Sequence, residues 1–386
     1  MFLLVLLTYL QASRAFSWAT IYKTSHNEAN QFLRSPLYSN SHNRVLPQPN
    51  PITQSRVKLL SRLDSEERQS YSVKKASFFA QDTKYCFDYE YNESCINPTS
   101  ESNDNGIDTK IVLLIHPVGV GISKWYYDDL FHELAKNSKS SDKKIIFLAP
   151  DLLGCGSACN PMKIEGTEQI NVKKLPILFP ADWAEQLVDF MTQYESINAD
   201  TLADNNTSWC VVANGGCVPI ALEIGKRYAN SIEVEQSKKT GSLVPPRKPN
   251  NIFSLSLSNI ILSAAPSLSS IQNDANPIKA QKAYRRLSGF LGNLFWWYAL
   301  RNDGKFIQSF SEKNLASCPE NLGKSWKPKC VQTAQMYNGK SRYATFSFLA
   351  GSLKGGSKER LEALRNTDVK IDVVRGVDKR KNSARR

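Results

Sequence analysis

Residues 209–222, WCVVANGGCVPIAL, constrain the fold of this chain more than any other stretch. The run from Trp209 to Ala213 is apolar without interruption, the pattern of a strand buried on both faces of a parallel sheet. Residues 217–222 resume as a helix, with Pro219 tolerated in its first turn. Only Asn214, Gly215 and Gly216 separate the two elements, so the chain must reverse within a tight turn where glycine supplies backbone angles closed to other residues. A strand feeding directly into a helix is half of a parallel crossover unit, and it requires partner strands of the same kind elsewhere.

Such partners are present. Residues 110–115, 144–149, 252–264 and 369–375 read as further strands, and 208–212 as the one just described. Residues 123–137, 181–195 and 219–228 have helical apolar spacing, and 230–251 reads as a charged, proline-containing loop. Residues 72–94 have the aromatic and β-branched character of a hairpin turning near Asp82 and Thr83. The expected fold class is α/β, a mostly parallel sheet flanked by helices on both faces. Residues 275–365 change character, with helical, aromatic-rich stretches at 286–300 and 332–349, and read as an inserted helical cap. Its Phe290, Leu294, Phe295, Trp296, Trp297 and Tyr298 either pack within the cap or line an apolar cleft facing the sheet. The expected organisation is a core at 71–274, the cap at 275–365, and a last core strand with a basic tail at 366–386, where truncation remains open.

Residues 1–15 read as a signal peptide: an apolar run, MFLLVLLTYL, precedes Ser13, Arg14 and Ala15. Phe16 follows at once, and ASRAFSWAT resembles the bipartite presequence of algae with secondary plastids. Residues 16–70 suit a transit peptide; 16–60 are rich in Ser and Asn, with Glu28 the single acid. Plain secretion is the alternative, and Asn92, Asn205 and Asn206 stand in glycosylation sequons. No segment is long and apolar enough to span a bilayer. The formal charge is +13, much of it terminal, including Lys379, Arg380, Lys381, Arg385 and Arg386. That tail could meet an anionic or protein partner, while no interleaving of basic and aromatic residues points to nucleic acid.

Three turns at strand ends carry the remaining information, because sites in such sheets lie beyond the carboxyl ends of the strands. His116, Pro117, Val118, Gly119, Val120 and Gly121 follow the first buried strand; Asp151, Leu152, Leu153, Gly154, Cys155, Gly156 and Ser157 follow the second; Gly376, Val377 and Asp378 follow the last. With the turn at Asn214, Gly215, Gly216 and Cys217, their order resembles the α/β-hydrolases (AB hydrolase-1 type), in particular plastid and cyanobacterial members. The resemblance spans about residues 72–378. It implies an oxyanion-hole loop at 116–121, a structural aspartate at Asp151, a triad acid at Asp378 and a nucleophile elbow whose nucleophile position is Gly215.

That position has no side chain, and serine hydrolysis needs a nucleophile, a base and an orienting acid. The sequence has four histidines, His26, His42, His116 and His132, so the family's late histidine has no counterpart here. His116 is the remaining candidate for acid–base work, and Cys217 reads as a packed thiol. The eight cysteines form no C-x-x-C pair and no metal set; Cys318 and Cys330 are the pair considered for a bridge. No cofactor is expected. Backbone N–H groups at Val118, Gly119, Gly215 and Gly216, with Asn214, would hold a small apolar ligand carrying a carbonyl or ester. The readings are a plastid hydrolase-fold protein without a complete triad, an active ester hydrolase or lyase of unusual mechanism through His116, and an interaction scaffold using the basic tail.

Overall fold

The computed structural model describes residues 71–80, 85–97, 108–136, 143–160, 162–163, 175–202, 206–239, 255–265, 276–301 and 325–374. The signal and transit segments, the turn at Asp82 and Thr83, Cys318, Asp378 and the basic tail lie outside the described residues.

Eight strands form one sheet: β1 (Ser72–Ala80), β2 (Tyr85–Ile96), β3 (Thr109–Ile115), β4 (Lys144–Pro150), β5 (Met162–Lys163), β6 (Thr207–Asn214), β7 (Leu257–Ser263) and β8 (Lys370–Val374). The order is β1-β2-β4-β3-β6-β7-β8, with β5 on β2. The pairs β3–β4, β3–β6, β6–β7 and β7–β8 are parallel. The β1–β2 hairpin is antiparallel and extends the sheet by pairing β2 against β4. The continuous apolar runs are explained by burial on both faces. Ile111, Leu113 and Ile115 point into one core with Trp209, Val211 and Ala213, while Val112 and Leu114 point into the other with Cys210 and Val212.

Helices fill both faces. Helix α1 (Asp128–Lys136), preceded by a 3-10 turn at Lys124–Tyr127, packs Leu130, Phe131 and Leu134 on the second core. Helix α2 (Pro180–Ile197) packs Trp183, Leu187, Phe190 and Met191 on the first. Its proline at the first position costs no hydrogen bond, and the Phe179 N–H donates to Asp182 Oδ2 at 2.6 Å. Helix α3 (Val218–Lys239) lies on the same face. It runs well past residue 228, so the loop expected over 230–251 is helical as far as Lys239. The reason is that no Gly or Pro interrupts Ser231 to Lys239.

Beyond β7 come α4 (Pro277–Leu287), α5 (Phe290–Arg301), α6 (Trp326–Gly339), α7 (Arg342–Leu349) and α8 (Ser357–Leu364). Helix α8 lies against α3: a Cβ on Gly225 would meet Leu364 Cδ1 and Ile260 Cδ1, each at 2.8 Å. The aromatic residues of α5 do not act as one set. Trp296 is buried and meets Phe346 edge-on at 5.9 Å. Phe290, Leu294 and Trp297 are exposed on the opposite side, so neither a packed cap nor a sheet-facing cleft accounts for all of them. No described helix is long and apolar enough to cross a membrane.

Candidate functional site

Three of the strand-end turns meet. His116, the first residue after β3, is fully buried. Its Nε2 accepts the Leu152 N–H at 3.1 Å, which joins the turn after β3 to the turn after β4. Its Nδ1 lies 3.0 Å from the Pro117 carbonyl. A carbonyl only accepts, so the ring carries its proton on Nδ1 and leaves Nε2 as the acceptor. Burial holds the His116 pKa below its ordinary value, and the charge of Asp151 opposes this. Both ring nitrogens are engaged with backbone.

Cys217, just past the turn after β6, donates its thiol to the His116 carbonyl at 3.3 Å. Burial pushes this thiol up to about 12, opposed by a hydrogen bond from the Val118 N–H. Val118 is buried, and its N–H, read from the sequence as available to a ligand, is directed at the Cys217 sulfur. Gly119 accepts the Thr345 hydroxyl through its carbonyl at 3.1 Å. This bond and the Trp125 indole, which donates to Gly121 O at 3.2 Å and Thr333 Oγ1 at 3.0 Å, tie α6 and α7 across the loop.

The turn after β6 has the geometry that its glycines permit. Gly215 sits in the left-handed region at φ 57. Gly215–Cys217 form one 3-10 turn leading into α3, and all three residues are buried. Asn214 donates from Nδ2 to Tyr126 Oη at 2.7 Å, while its buried Oδ1 has no hydrogen-bond partner.

Asp151 is structural. Its Oδ1 accepts the Lys124 N–H at 2.7 Å, and its Oδ2 accepts the Ser157 N–H at 2.8 Å and hydroxyl at 2.7 Å. Ser157 Oγ in turn accepts the Glu90 N–H at 2.8 Å, so it is a bridge between turn and hairpin. Sequence reasoning missed Gln186, on α2, whose side chain bonds both Leu153 N at 2.8 Å and Asp151 O at 2.9 Å. The signal available was a polar residue on the apolar face of a predicted helix. Asn92, which stands in a sequon, is buried in β2 and donates to Asp128 Oδ1 at 3.3 Å, so its side chain has no room for a glycan in this fold. Among the described residues no cluster of His, Cys, Asp or Glu is arranged to hold a metal ion. The described cysteines, Cys330 included, are free thiols.

Comparison with known proteins gives the following. No family model matches the chain, and no curated protein matches it. Among solved structures, a peroxisomal alpha-beta-hydrolase from Saccharomyces cerevisiae is 12% identical with a TM-score of 0.41, covering 80% of this chain and 82% of that one. The Cif epoxide hydrolase from Acinetobacter nosocomialis is 10% identical with a TM-score of 0.38, covering 87% and 93%. A monoglyceride lipase from Saccharomyces cerevisiae is 10% identical with a TM-score of 0.33, covering 81% and 92%. The sheet itself carries the assignment: a mostly parallel sheet, helices on both faces, and a strand–turn–helix at β6 with its tip residue at positive φ. The fold is that of an α/β-hydrolase. The turns after β3 and β4 flank the turn after β6.

Proposed function

We propose that the protein is a hydrolase-fold module of the plastid that works without a complete nucleophile–histidine–acid triad. It binds an apolar ligand carrying a carbonyl or ester at the turn after β6. The observation that supports this most is Gly215: the backbone stands in the left-handed conformation of an elbow tip, yet no attacking atom is attached to it. The neighbouring groups do not supply one. Cys217 is buried with its pKa raised to about 12, where a thiol is not nucleophilic.

Binding is supported by the same turn. Backbone N–H groups at the start of α3 make up the partially positive end of the helix, which favours a carbonyl oxygen. The turn is buried, and hydrogen bonds out of water are electrostatically stronger. An ester hydrolase or lyase working through His116 would need a ring nitrogen that now holds Leu152 or Pro117, so the geometry favours binding.

The test uses the full chain and a long-chain p-nitrophenyl ester. Saturable quenching of tryptophan fluorescence is expected, with no p-nitrophenolate released above buffer and no labelling by a fluorophosphonate. Release, or clear labelling, would overturn the reading, and so would the absence of saturable binding.

A further inference from the structure

We propose that the outward face of helices α4 and α5 docks the protein on the surface of a membrane rich in anionic phospholipid. None of its residues belongs to the turns at the strand ends, so the proposal does not rest on the function proposed above.

The apolar part is a stripe on α5. Phe290, Leu294 and Trp297 are 81%, 43% and 48% exposed. Spaced by four and three residues, they fall within about 60° of one another around the helix. Trp296, on the other side, is buried against Phe346 of α7. The helix is thus held by one side and offers the other to solvent. Ile278, 80% exposed, adds a large apolar residue on α4. Single exposed apolar residues are ordinary, whereas a stripe of Phe, Leu and Trp marks a surface that a partner or a membrane covers.

The two helices present this side together. Helix α4 touches both α5 and α7. Its buried face is Ala280 and Tyr284, and Tyr284 stands close enough to Tyr343 and Arg342 of α7 to feel their charges. Both helices therefore rest on α7, and their outer sides form one surface over it. On the outer side of α4, Ile278, Lys282 and Arg285 recur at helical spacing, and Lys279 and Arg286 are exposed beside them.

Charge selects what covers this surface. From Pro277 to Arg301 the sequence has Lys279, Lys282, Arg285, Arg286 and Arg301 and no Asp or Glu. From Arg342 to Lys358, through α7 and the loop after it, there is again no acid. Among the described residues none of the four α4 cations is in an ion pair. Burial, and then the nearby Lys279 ammonium, lower the Lys354 pKa to about 8, so positive charge gathers on this side. A second copy of the chain seated here would bring like charges face to face across a two-fold axis. An anionic bilayer suits both parts of the surface. Lysine and arginine heads reach lipid phosphates, while Phe, Leu and Trp enter the boundary between headgroups and acyl chains.

The experiment is flotation of the full chain with vesicles of phosphatidylcholine alone and of an equimolar mixture with phosphatidylserine. The chain should float with the mixed vesicles, less with the neutral ones, and salt should release it. Lys282→Gln/Arg285→Gln should lower the affinity about thirtyfold, the loss expected for two cations near an anionic surface. Phe290→Ser/Trp297→Ser should lower it about tenfold or more. Lys370→Gln, exposed on β8, should float as the unaltered chain does. Equal urea midpoints check that each variant keeps the fold, and if the Phe290/Trp297 pair does not, the cation pair decides. With lipid brominated in its acyl chains, quenching of tryptophan fluorescence should shrink in Trp297→Phe. No binding to the mixed vesicles, affinity unchanged in either folded double variant, or quenching unchanged in Trp297→Phe would overturn the proposal. So would dimerisation without lipid that Phe290→Ser/Trp297→Ser abolishes, which would assign the face to a second copy.

Discussion

Gly121 is where the loop after β3 touches α6, and its replacement by alanine tests whether that contact holds the site together. A Cβ at Gly121 would stand 1.8 Å from the Cys330 carbonyl oxygen. A carbon and a carbonyl oxygen approach no closer than about 3.3 Å, so helix and loop must separate by about 1.5 Å. The atom in the way is backbone, and no rotamer relieves it. Forcing volume into a packed interface costs about 1–3 kcal/mol. Gly121 also has φ 68, and an L-residue held there adds about 1–2 kcal/mol. Gly121→Ala should therefore cost about 2–5 kcal/mol. Gly351→Ala separates the two effects. Its φ is 86, and the nearest obstacle is the flexible Lys354 stem at 3.2 Å, so conformational strain of about 1–2 kcal/mol is all it should show. Urea unfolding of the three proteins, compared through midpoints at equal slope, gives both differences. If Gly121→Ala were no less stable than Gly351→Ala, α6 would not be seated on the loop as described.

Stability should fall as pH drops below about 6.5, the value at which an imidazole in the unfolded chain takes up a proton. Burial lowers the folded His116 pKa, so the unfolded chain binds a proton that the fold refuses; the loss reaches about 1.4 kcal/mol per pH unit between the two values. Urea midpoints from pH 7.5 to 5.5 should show a shallower fall in His116→Gln, and an unchanged slope would remove His116 as the cause. Iodoacetamide at pH 8 should modify the exposed Cys95 of the native protein and spare the buried Cys217, Cys210 and Cys330, each pushed up to about 12 by burial. Peptide mass spectrometry that finds Cys217 alkylated in the folded chain would contradict its packing against His116.

The sheet was legible because burial on two faces leaves an unmistakable trace. Ile111 to Ile115 and Ile145 to Ala149 can be uninterruptedly apolar only where both sides are covered. The tight turn after β6 was legible for a different reason: Gly215 and Gly216 follow a strand without a spacer, and Gly215 uses that freedom at φ 57. What could not be read depends on approaches between distant segments. That Cys217 meets His116, 101 residues away in sequence, follows from how two turns abut and leaves no local pattern. The outward face of α5 is a similar case. Phe290, Leu294 and Trp297 are spaced as a buried stripe would be, and only the tertiary arrangement turns Trp296 inward in their place. The length of α3 was missed because the charged residues of this stretch suit a helix as well as a loop.

The residues that resemble catalytic parts are occupied in holding the backbone. His116 fixes Leu152, Asp151 fixes Lys124 and Ser157, and Ser157 fixes Glu90. Gln186 closes the set from α2 by bridging Leu153 and Asp151. All but the Ser157 hydroxyl bond to Asp151 have a main-chain group at one end, and leaving such a buried partner unmade costs about 1–3 kcal/mol. The turns are therefore held in register whether or not any reaction occurs between them. Gly215 stands outside this network, since it offers no side chain to it. The strand-end motifs thus account for the shape of these turns through the bonds they make, and the side-chain-free position at Gly215 is one those bonds do not involve.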